Sequence, residues 1–209
     1  MTSRTTSVLA GALAGLMVSV AGAGAQEEEL RIGLVFTLSG PAAVLGEQGR
    51  DGFLLAVEEM GGELGGLPTE IIVQDDELKP DVAVNRAREL VERDDVDFVV
   101  RPIFSNILQA IHKPVVESGA FLISPNAGTS NFAGADCHPN FFVTSYQNDQ
   151  NHEVLGKYAE EAGFERVFLM APNYQAGRDS LAGFNFFFND TATTEIYTPL
   201  GQLDFSAEL

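Results

Sequence analysis

The chain has 209 residues, enough for one ordinary domain or two small ones, and a net charge of −18. This acidic balance argues against nucleic-acid binding and against attachment to anionic membranes through a basic patch. A single cysteine, Cys137, excludes a disulfide framework within the chain and leaves either a free thiol or a buried, inert one.

The first 25 residues have the pattern of a secretory signal peptide. Arg4 gives a positive start, residues 8–20 are apolar, and Ala23, Gly24 and Ala25 fit the small-residue cleavage rule. The alternative is a membrane anchor, but the apolar stretch is shorter than the roughly 20 residues that a spanning helix needs. We therefore expect a cleaved signal, export from the cytoplasm, and no direct membrane insertion of the mature chain.

The remaining sequence alternates between short apolar runs and helical patterns. Strands are predicted at residues 30–36, 70–74, 98–100, 121–124, 141–144 and 167–171. Helices are predicted at residues 47–60, from 79 onward, and at 106–117, 149–162 and 176–184. The first helix is expected to bury Phe53, Leu54, Val57 and Met60. This alternation predicts an α/β fold with a parallel sheet, and residues 145–148 are the expected break between two domains.

Polar residues follow two successive predicted strands, in FVVRPIFSN (residues 98–106) and FLISPNAG (residues 121–128). In open parallel sheets, ligands bind beyond the carboxyl ends of the strands. Ser105 is expected either to cap the following helix or to bind a ligand, and the two roles are compatible. The stretch around Asn126 is either a surface turn or part of the same site. Neither stretch carries a strong general base, which favours binding over catalysis.

Three other chemistries fit the sequence poorly. A dinucleotide site would need G-x-G-x-x-G after the first strand, and SGPAAVLG does not supply it. A serine hydrolase would need glycines around Ser105, and His112 lies two turns along the same predicted helix. Cys137 and His138 are adjacent, a spacing that seldom ligates one metal, so neither a metal nor a cofactor is expected. His112 and His152 are predicted to be solvated.

Taken in order, several stretches resemble periplasmic substrate-binding proteins of the branched-chain amino acid type, which serve ABC importers. They are IGLVFTLSGPAAVLGEQGRDGFLLAVEEMGG, IIVQDDE, LKPDVAVNRARELVERD, FVVRPIFSN, LISPNAG and VFLMAPNYQAG. The resemblance implies the type I fold, with two parallel-sheet αβα lobes that close on a ligand. It implies a first lobe at residues 26–146 and a partial second lobe at 147–209.

The resemblance also assigns site residues. It implies that Ser105 binds the ligand carboxylate and that Asn126, Ala127 and Gly128 contribute backbone contacts. It also implies that Leu45 lies beside the ligand side chain and that Tyr174 covers the ligand from the second lobe. Gly128 departs from the family, because amino-acid binders commonly have Thr there. The ligand is therefore expected to be a branched-chain amino acid or an aromatic or other small organic acid.

The resemblance implies a monomeric, non-enzymatic protein that delivers this small carboxylate to ABC permease subunits. The alternative is a ligand-sensing ectodomain of the same fold. Family members run to roughly 350 residues, so we expect the chain to be truncated. Its residues 189–198, NDTATTEIYT, read like a translated sequencing adapter, and Phe186, Phe187 and Phe188 before them fit a thymine run. We therefore expect residues 186–198 to be an artefact of sequence assembly.

Overall fold

The computed structural model describes residues 28–100 and 103–188, together with the backbone of residues 194–198. Strands and helices alternate as the sequence predicts. The strands are β1 Leu30–Phe36, β2 Glu63–Leu64, β3 Leu67–Asp75, β4 Phe98–Val100, β5 Phe121–Ser124, β6 Phe141–Val143, β7 Phe168–Pro172 and β8 Thr194–Thr198. The helices are α1 Ala43–Glu59, α2 Pro80–Arg88, α3 Ser105–Val116, α4 Gln150–Glu161 and α5 Gln175–Phe187.

Within the described residues, the strands form a six-stranded sheet in the order β2-β3-β1-β4-β5-β6 and a separate pair, β7 with β8. All neighbouring strands run parallel except β2 and β3. The register pairs Val100 with Ile123, so β4 and β5 end side by side. The predicted parallel α/β fold is confirmed, and the two polar strand ends lie next to each other.

The core of the larger sheet is built from its central strands and from α2 and α3. Leu34 and Val35 of β1 are completely buried, as are Val99 of β4 and Leu122 of β5. Helix α3 buries Ile107, Leu108 and Ile111 in one cluster with Val35, Val99 and Leu122, whereas Leu34 belongs to a second cluster. Burying each such aliphatic side chain contributes about 1.5–3 kcal/mol relative to leaving it exposed, so α3 is strongly fixed against β4 and β5.

The predicted stripe on α1 is partly wrong. Phe53 and Val57 do pack inward, but Leu54 is 36% exposed and Met60 is 60% exposed. The helix contacts the sheet through residues 46, 49, 53 and 57, and a Cβ on Gly49 would come within 2.6 Å of the Phe36 ring. Since that stripe follows the helical period, Leu54 and Met60 lie to either side of it.

The expectations for the two histidines and the cysteine, three residues in all, need correction. His112 is buried, not solvated, because a 3-10 turn at Ser130–Ala133 places Phe132 over α3. The two rings stack with centroids 3.9 Å apart, and burial lowers the pKa of His112, with a smaller contribution from His138. His152 is half-buried, with Nδ1 3.0 Å from the Asn148 carbonyl oxygen. Cys137 is an exposed free thiol, so the buried alternative is wrong.

The elements after β6 form a smaller group. Helix α4 packs on α5, and Ala159, Phe184 and Phe188 form its small core. The other face of β7 is open, since Phe168 and Met170 are 61% and 72% exposed. In the segment expected to derive from an adapter, residues 189–193 lie outside the described part, and Thr194–Thr198 forms β8 beside β7.

Candidate functional site

Ser105 lies at the junction of β4 and α3 and is 1% exposed. Its predicted role as the helix cap is wrong: the N-cap is Phe104, in extended conformation, and Ser105 is the first helical residue. A cap must have non-helical backbone, and Ser105 has helical backbone. Its hydroxyl oxygen instead accepts a hydrogen bond of 3.0 Å from Nδ2 of Asn148.

The segment after β5 is fastened to its surroundings mainly through its backbone. Ala127 is buried, and its carbonyl accepts a hydrogen bond of 2.6 Å from the Ser124 hydroxyl. Asn126 is exposed, and its Nδ2 donates to the carbonyl of Ile103, 3.1 Å away. Because Ile103 follows β4, this bond ties the two strand ends together.

Gly128 is where the chain leaving β6 crosses the end of β5. Its carbonyl accepts a hydrogen bond of 2.7 Å from the backbone N–H of Asn148, and its own N–H donates to Asn148 Oδ1 at 3.3 Å. A Cβ on Gly128 would overlap the Tyr146 carbonyl oxygen and lie 3.1 Å from the Cα of Gln147. The position is therefore closed to the threonine that amino-acid binders commonly have there.

Asn148 is the residue that sequence reasoning missed. Its amide reaches Ser105 and Gly128, and its Nδ2 also donates to Asp179 Oδ2 at 2.8 Å. One sequence signal did point to this region, because Asn148 lies in the predicted break at residues 145–148. No sequence signal marked Asp179, which lies on α5, 31 residues from Asn148.

Asp179 is a buried carboxylate, 5% exposed, held by neutral donors. Oδ1 accepts hydrogen bonds from the Ser130 hydroxyl at 2.9 Å and from Gln175 Nε2 at 2.7 Å. Oδ2 accepts from the Ser130 backbone N–H at 3.3 Å and from Asn148. A carboxylate has about four lone-pair sites, so these four donors satisfy it. The network joins α5 to the end of β5 and to Ser105.

The remaining two predicted site residues differ in their placement. Tyr174 directly precedes α5 and packs against the core cluster of the larger sheet. Burial raises the pKa of its phenol. Leu45 is 46% exposed in the first turn of α1, so the structure does not enclose it. Thus Ser105 and Gly128 both hydrogen-bond to the side-chain amide of Asn148, and Asn126 and Ala127 lie in the same segment as Gly128. Tyr174 packs on the core cluster that contains helix α3.

A cavity of about 310 Å³ opens beside this segment. Gly128, Thr129 and Gln147 line one part, and the rings of Phe132 and Phe141 line another. Its volume lies at the lower end of the range for ligand pockets, about 300–1,000 Å³. A larger hollow of about 570 Å³ is lined by polar and charged residues of α2 and the turn after it, and we assign it no ligand. These residues are Asn85, Arg88, Glu89, Glu92 and Arg93.

The described residues show neither a metal centre nor a membrane span. No group of three or more His, Cys, Asp and Glu side chains among them could hold a metal ion. Likewise, none of the helices described has both the length and the apolar character needed to cross a bilayer. The site is thus made of hydroxyl, amide and backbone groups at the carboxyl ends of parallel strands, next to a cavity with both polar and aromatic walls.

This combination of fold and site defines an α/β protein with polar groups beyond the carboxyl ends of its parallel strands, the position at which open parallel sheets bind ligands. The chain belongs to the periplasmic binding protein family, whose sequence model matches residues 29–209. The predicted family and its type I fold are thereby confirmed. It is 29% identical over 201 residues to the Leu/Ile/Val-binding protein BraC3 of Rhizobium johnstonii, a match covering 93% of this chain and 54% of that protein.

Two solved structures support the same family membership. An ABC transporter substrate-binding protein from Sphaerobacter thermophilus is 34% identical with a TM-score of 0.72, covering 85% of this chain and 50% of that one. A solute-binding protein of an ABC transporter from R. palustris, in complex with benzoate, is 30% identical with a TM-score of 0.76 and the same two coverages. The chain therefore spans about half the length of the relatives it matches.

Proposed function

We propose that this protein is a periplasmic solute-binding protein that captures a small carboxylate and delivers it to the permease subunits of an ABC importer. The observation that carries the proposal is that Ser105 and Gly128 lie beyond the ends of two adjacent strands and both hydrogen-bond to Asn148, with Ser105 in the first turn of α3. A helix N-terminus favours an anionic group, and a serine hydroxyl donates well to an ionised oxygen. The relatives support this proposal, since one is a Leu/Ile/Val-binding protein and another is a solute-binding protein in complex with benzoate.

In this proposal, Ser105 donates to the carboxylate, and the backbone of Asn126, Ala127 and Gly128 lines the second side. Tyr174 covers the ligand from the second lobe, and Leu45 contacts its apolar part. The phenol of Tyr174 is half-buried already, which suits a covering role. The protein binds without covalent chemistry and works as a monomer without a cofactor.

We propose the ligand class as a branched-chain amino acid or an aromatic or other small organic acid. Two features favour the aromatic acids. The cavity beside Gly128 is walled by Phe132 and Phe141, and offset or edge-on ring contacts suit a flat ligand. Gly128 also cannot be replaced by the threonine that amino-acid binders commonly have, because the Tyr146 carbonyl occupies the space.

We propose that residues 1–25 are a cleaved signal peptide, that residues 26–146 form the first lobe, and that residues 147–209 form part of the second. Membership of a periplasmic binding protein family supports the location. We also propose that residues 186–198 derive from a sequencing adapter. Resequencing the locus tests this: an uninterrupted natural reading frame that contains NDTATTEIYT would refute it.

A thermal-shift screen of the mature full-length protein tests the function. The panel contains benzoate, 4-hydroxybenzoate, L-leucine and L-isoleucine. A ligand at 100 times its Kd adds about 2.7 kcal/mol of stability, which raises the melting temperature. If none of the four raises it, the proposal is refuted.

Calorimetric titration of two serine variants then tests the site. Ser105→Ala is expected to weaken carboxylate binding about tenfold, since one hydrogen bond to a charged group is lost. The matched control is Ser180→Ala on α5, whose hydroxyl donates within its own helix to Ala176. That variant is expected to bind as the wild type does. Equal affinities for both variants would remove Ser105 from the site.

A further inference from the structure

The Asn148 amide is fully engaged, and its orientation is fixed. Nδ2 donates to Ser105 Oγ at 3.0 Å and to Asp179 Oδ2 at 2.8 Å, and Oδ1 accepts from the Gly128 N–H at 3.3 Å. An ionised carboxylate can only accept, so Asp179 must face the NH₂ side of the amide. Turning the amide over would place its oxygen against the carboxylate and would leave the Gly128 N–H facing a second donor.

This fixed amide decides what Ser105 can do. A serine hydroxyl both donates and accepts, and its hydrogen rotates to suit its partners. Because Asn148 donates to the oxygen of Ser105, the hydroxyl hydrogen is left to point toward another acceptor. The hydrogen of Ser105 is thus available to a ligand oxygen. Because a hydrogen bond to an ionised acceptor is about twice as strong as one to a neutral acceptor, a carboxylate is favoured over the corresponding amide.

Asp179 fixes Asn148 without offering a charge to the ligand. All four donors around it are neutral protein groups, two on each oxygen, and the residue is 5% exposed. Its lone pairs are occupied, so it does not present an acceptor to a ligand ammonium group. Its remaining influence on a ligand passes through Asn148.

We propose that Asn148 and Asp179 are positioning residues that hold Ser105 as a hydrogen-bond donor and so make the site select a carboxylate over its amide. The inference rests on the proposed function and names the part of the site that would set its selectivity. Asp179 orients the Asn148 amide, and Asn148 orients the Ser105 hydroxyl.

Calorimetric titration of the mature full-length protein tests this, with whichever panel carboxylate binds best and with its primary amide, for example benzoate and benzamide. Asn148→Ala is expected to weaken carboxylate binding about tenfold, but to have no further effect in a Ser105→Ala background. The matched control is Ser130→Ala, which removes another donor to Asp179 without touching Asn148. That variant is expected to melt at a lower temperature and to bind with unchanged affinity.

A second variant covers the case in which Asn148→Ala does not fold. Asp179→Asn keeps the volume but lets the Asn148 amide turn over, so the preference for carboxylate over amide is expected to fall about tenfold. The inference is overturned if that preference stays within twofold of the wild type, or if Asn148→Ala weakens binding equally with and without Ser105. A wild-type protein that binds no carboxylate of the panel refutes the proposed function and this inference together. One that binds but fails these variant tests refutes the inference alone.

Discussion

Replacing Gly128 by alanine should destabilise the protein, because the position has no room for a methyl group. A Cβ there would overlap the Tyr146 carbonyl oxygen and would lie 3.0 Å from the Tyr146 carbonyl carbon and 3.1 Å from the Cα of Gln147. All three are backbone atoms, so no side chain can rotate away to relieve the contact. The chain at residues 146–148 must move instead.

The size of the effect follows from two contributions. Forcing an extra methyl group into a closely packed site costs typically about 1–3 kcal/mol. Moving the crossing chain also weakens two hydrogen bonds that join Gly128 to Asn148, of 2.7 and 3.3 Å. With about 1 kcal/mol for each bond, the free energy of unfolding should fall by about 3–5 kcal/mol.

Urea unfolding followed by circular dichroism measures this difference. The matched control is Gly52→Ala, since a Cβ at Gly52 meets nothing within 4 Å and the residue lies inside α1. That control should gain about 0.5–1 kcal/mol, because alanine favours helix over glycine. A Gly128→Ala variant within about 0.5 kcal/mol of the wild type, which is the usual size of a surface effect, would refute the proposed close approach.

Three further predictions test the fold. Leu108→Ala should lower the free energy of unfolding by about 2–5 kcal/mol, and the exposed Val44→Ala should change it by less than about 0.5, both measured in urea. Burial lowers the pKa of His112, so the imidazole binds a proton more readily in the unfolded chain than in the folded one. The contribution of His112 to the free energy of unfolding is therefore present above pH about 6.5 and is lost as the pH falls below it. His112→Phe should remove that part of the pH dependence, and an unchanged profile would contradict the assignment. Native protein should react with one equivalent of Ellman's reagent through the exposed Cys137; reaction only after denaturation would show it to be buried.

Local patterns predicted the regular elements of the larger sheet well. The bounds predicted for β1, β4 and β5 agree with the structure, because each is a short apolar run closed by turn residues. The two-residue strand β2 was not predicted, since so short a segment has no period. It depends on the left-handed backbone of Gly65 and Gly66, with φ of +62° and +81°, which turns the chain back on itself.

The errors arose where distant segments meet. His112 was predicted to be solvated because helical spacing alone does not show that the Ser130–Ala133 turn folds Phe132 onto it. Ser105 was correctly placed at the end of a strand, but its partner Asn148 lies 43 residues further along the chain. Periodicity describes which face of an element is apolar, whereas such hydrogen bonds depend on how the elements pack.

The crossing of residues 146–148 over Gly128 has a consequence for how this protein can diversify. The side-chain amide of Asn148 bonds to Ser105, and its backbone N–H bonds to Gly128, so this residue holds both strand ends. The same residue lies where the chain turns toward α4 and α5. A substitution at Asn148 therefore alters the polar edge of the sheet and the path of the chain in one step. Phe132 and Phe141 border the cavity and lie off the crossing, but both belong to the buried core and Phe132 stacks on His112, so replacing either one alters the packing together with the cavity wall.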